Sequence, residues 1–244
     1  KLYAINSNGT KKWDFPMIAT GGPAVDSNGN IYIGAEGPFY SISPDGSINW
    51  TFDDNHGGWT SPGIHKDGTI YVGGSYFRAI NPDGSLKWSW DAHPPGIWSG
   101  SINTPPVFSP EGMIYAGWYR HPGDDYLNAF DPDKNVPTYK SFKIDIGGYT
   151  SPMLDEAAIA NDGTIYISTQ RSPGFLFAIN PDLTEKWKTE IATDINVLCG
   201  SPVIGADGTV YSPGEQGVGL TAVSPEGTVQ WSVENAWGTP AIGN

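Results

Sequence analysis

Short segments in which apolar and polar residues alternate recur along the whole chain. They are rich in Ile, Val, Tyr, Trp and Thr, the side chains that suit a half-buried pleated sheet. Between them stand dipeptides such as Asn8-Gly9, Asp67-Gly68 and Asp162-Gly163, which supply the positive φ angles of tight hairpins. Since no stretch keeps a helical period, the pattern predicts an all-β chain of short antiparallel strands.

Three sequence segments recur in a fixed order, at an interval of about 44 residues. The first, Gly-x-Ile-Tyr or Gly-x-Val-Tyr, occupies residues 29–32, 68–71, 112–115, 163–166 and 208–211. The second, Ala-Ile-Asn or a close variant, occupies residues 4–6, 41–43, 79–81, 129–131, 178–180 and 222–224. The third is a closing aromatic residue, namely Trp13, Trp50, Trp88, Tyr139, Trp187 and Trp231. The interval matches a unit of four short strands.

A repeat of this length predicts a β-propeller, in which each unit forms one blade. We expect one domain over residues 1–244, a six-bladed propeller of four-stranded antiparallel blades. The expected blades are residues 1–15 together with 237–244, then 20–53, 59–91, 103–145, 149–190 and 199–234.

The first blade is expected to be split between the two ends of the chain, which removes exposed sheet edges. Residues 1–15 match only the last two strands of the repeat, and residues 237–244 match its innermost strand. A sixth Gly-x-Ile-Tyr strand is missing, so we expect it before Lys1 or after Asn244 in a longer parent polypeptide. The alternative is a strand from a neighbouring molecule, by strand exchange, which would make an oligomer.

Composition narrows the classes of partner. The net charge of −13 comes from scattered acidic residues and repels polyanions, so we expect no nucleic-acid partner. Aromatic residues make up 13% of the chain, which argues against disorder. Cys199 is the single cysteine, so the chain cannot form an internal disulfide framework. No apolar run is long enough for a membrane span, and we expect neither a span nor a signal peptide within residues 1–244.

The repeat resembles a known family. The series formed by residues 67–73, 79–84 and 86–88 is similar to the PQQ-like propeller repeat of quinoprotein dehydrogenases and of the propeller lipoprotein in the bacterial outer-membrane assembly machinery. The resemblance implies the propeller fold and an extracytoplasmic location, in the periplasm, on the cell surface or in the medium. It does not imply one activity, because the repeat serves as a scaffold in proteins with unrelated functions.

The chain lacks sequence features that the dehydrogenase branch of that family uses to hold its cofactor. Resemblance to those enzymes would imply an eight-bladed propeller, a bound PQQ, a calcium ion and often a disulfide between adjacent cysteines. The present chain has six copies of the repeat, and Cys199 has no cysteine neighbour. Turns such as residues 81–85 lack the alternating oxygen ligands of a helix-flanked calcium loop. We predict no cofactor, with calcium as an alternative that no motif supports.

Candidate binding residues come from the loops that, in family propellers, form one face around the central channel. These are the loops that enter the inner strands and those between the second and third strands. The predicted ligand-binding residues are Trp59, Trp98, Asn103, Trp118, Arg120, His121, Tyr149, Arg171 and Trp237. Flat rings stack on sugars while Arg, His and Asn bind hydroxyl groups, so the set suits a carbohydrate. The alternative is that the rings pack between blades, as we expect of Trp13, Trp50 and Trp88.

The sequence therefore predicts a non-catalytic extracytoplasmic module that binds a glycan or another protein through this face. One alternative is a polysaccharide-active lyase or glycosidase, with Asp53 or Asp54 and Asp145 as carboxylates drawn from different blades. A relative of the quinone-dependent dehydrogenases is a further alternative. No catalytic residue is predicted, because the four histidines are scattered and no Gly-x-Ser-x-Gly or His-Glu-x-x-His motif occurs.

Overall fold

A computed structural model describes residues 1–93, 99–121, 124–134, 139–147, 154–169, 173–192, 200–214, 219–234 and 239–242. These residues form β-strands and no helix, which confirms the all-β prediction for the described part of the chain. Within the same residues there is accordingly no helix long and apolar enough to cross a membrane.

The chain divides into two compact units. The first unit comprises Lys1–Pro95, Ser101–Pro106 and Lys134–Pro137. The second unit comprises Gly96–Gly100, Val107–Asp133 and Thr138–Asn244.

The first unit contains three antiparallel sheets, each with its strands in sequence order. The first sheet has two strands, β1 (Leu2–Ile5) and β2 (Lys11–Phe15). The second has four, β3 (Ala24–Val25), β4 (Ile31–Gly34), β5 (Phe39–Ile42) and β6 (Ile48–Phe52). The third also has four, β7 (Gly63–Ile64), β8 (Ile70–Val72), β9 (Tyr76–Ile80) and β10 (Leu86–Asp91). Strand β11 (Ser99–Ile102) spans the boundary between the units.

Three further antiparallel series lie in the second unit. The first is β12 (Val107–Phe108), β13 (Ile114–His121), β14 (Tyr126–Phe130) and β15 (Tyr139–Lys143). The second is β16 (Ala158–Ile159), β17 (Ile165–Ser168), β18 (Gly174–Ile179) and β19 (Glu185–Ala192). The third is β20 (Val203–Ile204), β21 (Val210–Pro213), β22 (Leu220–Val223) and β23 (Val229–Val233).

The recurring sequence segments pair with one another in one register. In the β8–β9 pair, Tyr71 lies opposite Ala79 and Ile70 lies opposite Ile80. Four more strand pairs repeat this arrangement, a Tyr opposite a small residue and an Ile or Val opposite an apolar one: Tyr32–Ser41 with Ile31–Ile42, Tyr115–Ala129 with Ile114–Phe130, Tyr166–Ala178 with Ile165–Ile179, and Tyr211–Ala222 with Val210–Val223. The repeat thus encodes a cross-strand pairing, which is the unit of sheet stabilisation.

The closing tryptophans join neighbouring sheets. Trp50, on β6, donates its indole N–H to the carbonyl oxygen of Pro82 at 2.9 Å, in the turn of the next sheet. Its ring also covers Gly84, where an added Cβ would stand 2.7 Å from the indole. Trp13 and Trp187 make the same hydrogen bond to Pro44 and Pro225. These tryptophans therefore pack between sheets, as the sequence predicts for Trp13 and Trp50.

The described residues contain one sheet for each of the six repeat copies. The first copy supplies only β1 and β2, and residues 239–242 lie in no strand. The number of blades and the split of the first blade between the two ends of the chain remain predictions.

Candidate functional site

The predicted binding residues fall into two groups. Trp59, Asn103, Trp118, Arg120 and His121 belong to the described part of the chain. The others lie outside the described residues, namely Trp98, Tyr149, Arg171 and Trp237.

Trp59 is a buried anchor, with only 2% of its surface exposed. Its ring packs on Phe39 at 5.6 Å and on Phe52 at 6.1 Å between ring centres, and its N–H donates to the Gly37 carbonyl at 2.7 Å. A Cβ at Gly34 would lie 2.2 Å from the Cβ of Trp59, so glycine is required there. Trp59 cannot offer its ring to a sugar, and the packing alternative applies to it.

Arg78, on β9, lies on the Trp59 ring, with its guanidinium carbon 4.4 Å from the ring centre. The side chain is completely buried and forms two hydrogen bonds with the Asp54 carboxylate, Nε to Oδ2 at 2.7 Å and Nη2 to Oδ1 at 3.0 Å. Its Nη1 also donates to the Tyr76 carbonyl at 2.9 Å. A buried charge is tolerated only when it is paired in this manner. Arg78 therefore fixes Asp54, in the loop that follows β6, against the next sheet.

The segment 53–56, called the 53–56 loop below, has a specific backbone conformation. The Asp53 carboxylate accepts a hydrogen bond from the Asn55 amide at 2.8 Å, and the Asp54 carboxylate accepts one from the His56 amide at 3.2 Å. Asn55 has a φ of 62°, a left-handed conformation that asparagine adopts more readily than most residues. The loop thus holds its backbone with its own carboxylates and is anchored by Arg78.

His56 and Tyr76 form the exposed side of this cluster. Their rings meet edge to face at 4.7 Å between centres. The Nδ1 atom of His56 lies 2.6 Å from the Asp54 carbonyl oxygen; because a carbonyl only accepts, Nδ1 carries a proton, and in the neutral ring Nε2 holds the lone pair. The His56 side chain is 49% exposed and the Asp54 side chain 29% exposed. The imidazole of His56 and the carboxylate of Asp54 therefore reach solvent side by side, next to the half-buried Tyr76.

The connection between β8 and β9 lies against the loop that leads into β7. A Cβ at Gly74 would stand 2.8 Å from the Gly58 carbonyl oxygen, and Gly74 has a φ of 143°. Glycine at this position lets the two backbones approach, which brings Tyr76 next to His56. We call the 53–56 loop, Tyr76 and Arg78 the Arg78 cluster.

Trp118 and Arg120, in the second unit, form a separate cation–π pair. The guanidinium carbon of Arg120 lies 4.8 Å from the centre of Trp118 and 5.3 Å from that of Tyr126. The buried Asp125 accepts a hydrogen bond from the Arg120 amide at 3.2 Å. Trp118 is only 6% exposed, so its ring is also covered. His121 is the last residue of β13.

Asn103 is exposed, and the preceding residue, Ile102, occupies the position that corresponds to Trp59. Alignment on the following proline matches Asn103 with Trp59. A Cβ at Gly73 would lie 2.6 Å from the Ile102 side chain, just as one at Gly34 would meet Trp59. Ile102 is therefore the packing counterpart of Trp59, and the alignment is off by one residue.

At the hairpin-turn end of the first unit lies a groove of about 420 Å³, lined by residues that include Asp26, Asn28, His65 and Lys66. Nearby, burial acts to raise the pKa of Asp67, but hydrogen bonds from the Thr69 amide and the His65 ring outweigh it and lower that pKa to about 2. The groove is built from hairpin turns whose hydrogen bonds recur from sheet to sheet, from the Asp26 amide to Asn30 and from the His65 amide to Thr69, which makes it a weaker candidate than the Arg78 cluster. Within the described residues, no three His, Cys, Asp or Glu side chains gather as they would around a metal ion.

Sequence reasoning names Asp54 only as a catalytic carboxylate and misses Arg78 and His56. One signal was present. Arg78 occupies a strand position filled elsewhere by Tyr40, Asn128, Phe177 and Thr221, so it is the one charged residue there among the five larger sheets. A buried charge requires a partner, and Asp54 is the partner that the structure supplies.

No protein-family model and no curated protein matches the sequence, so the PQQ-like character of the repeat remains a resemblance. Solved structures do match. A catalytically inactive His→Ala variant of virginiamycin B lyase from Staphylococcus aureus, with quinupristin, has a TM-score of 0.69 at 14% identity, over 98% of this chain and 74% of that one. The Dos1 propeller has a TM-score of 0.68 at 12% identity, over 96% of this chain and 62% of that one.

PorZ, a surface component of the type-IX secretion system of Porphyromonas gingivalis, has a TM-score of 0.62 at 11% identity. The match covers 87% of this chain but only 33% of PorZ. At such identities the likeness concerns the fold alone, and the group includes an enzyme as well as a surface component. By this likeness, and by its antiparallel sheets, the chain is a β-propeller protein.

Proposed function

We propose that the chain is an extracytoplasmic carbohydrate-binding module and that the Arg78 cluster holds the sugar. The observation that carries this proposal is the 53–56 loop, in which exposed polar groups are anchored from below by a fully buried arginine. Sugar hydroxyl groups pair with carboxylate, amide and imidazole groups, and the rings of Tyr76 and His56, which meet edge to face, add aromatic surface beside them.

The Asp54 carboxylate retains capacity for a ligand. Two carboxylate oxygens offer roughly four acceptor positions. Arg78 takes one on each oxygen, and the His56 amide takes a third. One position remains for a hydroxyl group at the exposed edge of the carboxylate. Because Arg78 already fixes the loop, a ligand would not have to order it, and this lowers the entropic cost of binding.

A glycan fits this surface better than an apolar protein partner. The loops of residues 53–62 and 73–75, which the structure describes in full, contain no exposed large hydrophobic side chain. Protein-binding patches are typically enriched in such side chains at their centre. The extracytoplasmic location is supported by the PQQ-like resemblance and by likeness to the surface component PorZ.

The test is a screen of the whole chain against plant, microbial and host polysaccharides, read by tryptophan fluorescence. Trp59 lies directly beneath Arg78 and should report occupancy. We expect one polymer class to give saturable binding that His56→Ala weakens by about tenfold or more, a loss equivalent to one or two hydrogen bonds. Asn28→Ala, an exposed asparagine at the opposite end of the sheet, is the matched control and should bind normally.

Two results would contradict the proposal. The first is the absence of saturable binding to any polymer. The second is binding that His56→Ala and Asp53→Ala both leave unchanged, which would place the glycan away from the Arg78 cluster.

A second candidate, a lyase, is favoured by the orientation of His56. Its protonated Nδ1 is held by the Asp54 carbonyl, which leaves Nε2 as a base directed away from that bond. In the similar virginiamycin B lyase, a His→Ala variant is catalytically inactive. If His56 Nε2 takes the proton from the carbon next to the carboxylate of a uronic acid unit, the electron pair left behind forms a carbon–carbon double bond and the glycosidic carbon–oxygen bond on the adjacent carbon breaks. The leaving sugar oxygen takes up a proton from solvent, and the unsaturated product should absorb in the ultraviolet. His56→Gln would then abolish product formation while the bound fraction stays measurable; bound but unchanged polymer would rule the lyase out.

A further inference from the structure

Among the described residues, three cations lie on aromatic rings, namely those of Arg78, Arg120 and Lys188. Arg78 donates two hydrogen bonds to the Asp54 carboxylate, and the Lys188 ammonium donates to the Asp145 carbonyl at 2.9 Å. No described residue accepts a hydrogen bond from the Arg120 guanidinium or forms an ion pair with it, although its Nε atom is buried. A buried donor without an acceptor lowers stability, so the fold alone does not explain an arginine at this position.

Two rings and a backbone hydrogen bond hold Arg120 in place. Its guanidinium carbon lies 4.8 Å from the ring centre of Trp118 and 5.3 Å from that of Tyr126, and the centres of these two rings are 5.6 Å apart. The Arg120 amide donates to the buried Asp125 carboxylate at 3.2 Å. Arg120 is half-buried, and of its guanidinium nitrogens only Nε is buried without an acceptor in the described part of the chain. The two terminal nitrogens are therefore the part that a ligand can reach.

An exposed ion pair stands beside these rings. Lys143 lies opposite Tyr126 in the β14–β15 pair, and its ammonium is 2.9 Å from the Asp124 carboxylate. The two charges compensate each other, so this pair does not neutralise Arg120. Their side chains are 52% and 36% exposed, which leaves an ammonium and a carboxylate able to bond hydroxyl groups. The surface thus combines a cation that no described carboxylate pairs with and groups that bind hydroxyls.

We propose that Arg120 binds the carboxylate of a single uronic acid unit in an otherwise neutral glycan. The terminal nitrogens of the guanidinium donate to the two carboxylate oxygens, a two-bonded pairing of the kind that Arg78 makes with Asp54. Lys143 and Asp124 bind hydroxyl groups of the same unit. The net charge of −13 disfavours a polyanion, so the site takes one acidic unit and not a run of them.

The sugar in this inference rests on the proposed function, whereas the carboxylate rests on Arg120 itself. The site shares no residue with the Arg78 cluster. Its failure can therefore be told apart from the failure of the proposed function: the loss of polysaccharide binding in His56→Ala tests the Arg78 cluster, and the preference for an acid over its amide tests Arg120.

The test titrates the whole chain with D-glucuronate and with D-glucuronamide, in which a neutral amide replaces the carboxylate. Binding is read by tryptophan fluorescence, since Trp118 lies against Arg120, and by the rise in melting temperature that a ligand causes. We expect saturable binding of glucuronate and binding of the amide that is weaker by about tenfold or more. Arg120→Met should abolish this preference. Lys188→Met, which removes another ring-bound cation of the second unit, is the matched control and should bind as the parent does.

Melting separates a binding role from a structural one. Arg120→Met should melt at no lower temperature than the parent, because it removes a buried donor that has no acceptor. Arg120→Lys keeps the charge but loses the planar fork, so it should fold and bind glucuronate more weakly than the parent. Equal binding of glucuronate and glucuronamide, no binding by the folded parent, or a parent-like preference in Arg120→Met would overturn the proposal. Acetate or acetyl-triglycine that binds as tightly as glucuronate would overturn the assignment to a sugar.

Discussion

The two ends of the sheets in the first unit are built in different ways. At one end the hairpin turns repeat, since the Asp26 amide donates to the Asn30 carbonyl just as the His65 amide donates to the Thr69 carbonyl. At the other end the connections differ, and among those that the structure describes the 53–56 loop alone joins a carboxylate anchored by a buried arginine to an exposed imidazole. The same strands support both ends, so the difference arises in the connections alone. Repeated turns maintain the fold, whereas divergent loops are free to acquire chemistry.

The second unit follows the same division. Its turns repeat the hydrogen bonds from Ala160 to Thr164 and from Gly205 to Thr209. Its own arginine–aromatic pair, Arg120 on Trp118, lies instead at the opposite end of a strand. Variants at the turn end should therefore change stability alone, whereas variants at the loop end should change both stability and ligand binding.

The largest effect should come from separating Arg78 and Asp54. Asp54→Ala leaves the Arg78 guanidinium buried without its carboxylate, and we expect the free energy of unfolding to fall by about 3 kcal/mol. Urea unfolding at neutral pH measures the change. Asp53→Ala, which removes the exposed neighbouring carboxylate, is the matched control and should cost less than about 1 kcal/mol.

Replacing the pair together sharpens the result. Arg78→Met combined with Asp54→Ala removes the buried charge. The double variant should recover a large part of the lost stability, since this buried site can accommodate an apolar side chain. Equal losses for Asp54→Ala and Asp53→Ala would mean that the ion pair does not organise the loop end. The sites are in contact, so the two effects should not add.

A smaller loss is expected at the turn end, where tryptophan covers glycine. Gly84→Ala would place a Cβ 2.7 Å from the Trp50 ring at a φ of 87°, so both a clash and backbone strain result. We expect the free energy of unfolding to fall by about 2 to 3 kcal/mol. Urea unfolding measures this change, and tryptophan fluorescence reports the altered environment of Trp50. Gly9→Ala has the same strain, at a φ of 82°, but an added Cβ meets nothing within 4 Å.

The difference between these two variants isolates the tryptophan contact. Gly9→Ala should cost about 1 to 2 kcal/mol from strain alone. If Gly84→Ala costs no more than Gly9→Ala, docking of Trp50 on the next turn does not stabilise the join between sheets.

The turn end could be predicted from the sequence because it is encoded locally. Asp-Gly and Asn-Gly pairs fix the hairpins, and the recurring Gly-x-Ile-Tyr and Ala-Ile-Asn segments fix which strands pair. The packing of Trp13 and Trp50 followed from the same repeat. Alternating patterns and turn residues act over a few positions, and a period of fixed length reports their order.

The loop end could not be predicted in the same way. The pairing of Asp54 with Arg78 joins a loop residue that follows one sheet to a strand residue of the next, and neither residue recurs in other copies. Aromatic character alone does not separate a buried ring such as Trp59 from a ring that binds a ligand, because a ring in a loop can enter the core as readily as it faces solvent. Sequence alignment also cannot fix a position in a loop to the residue. It matches Asn103 with Trp59, but Ile102 points inward there, since a shift of one residue reverses which side chain is buried.

The smallest effect should be the response of a turn carboxylate to acid. The pKa of Asp67 is lowered to about 2, below the ordinary aspartate value of about 3.9. The ionised carboxylate therefore contributes stability that is present above about pH 4 and is lost as the pH falls toward 2. Asp67→Asn keeps an acceptor for the Thr69 amide but removes the charge near His65 and Lys87. We expect it to lower the melting temperature slightly at pH 7 and not at pH 2, whereas Asn28→Ala should leave the pH dependence unchanged. A difference between parent and Asp67→Asn that persists undiminished at pH 2 would show that the charge of this turn does not contribute to its stability.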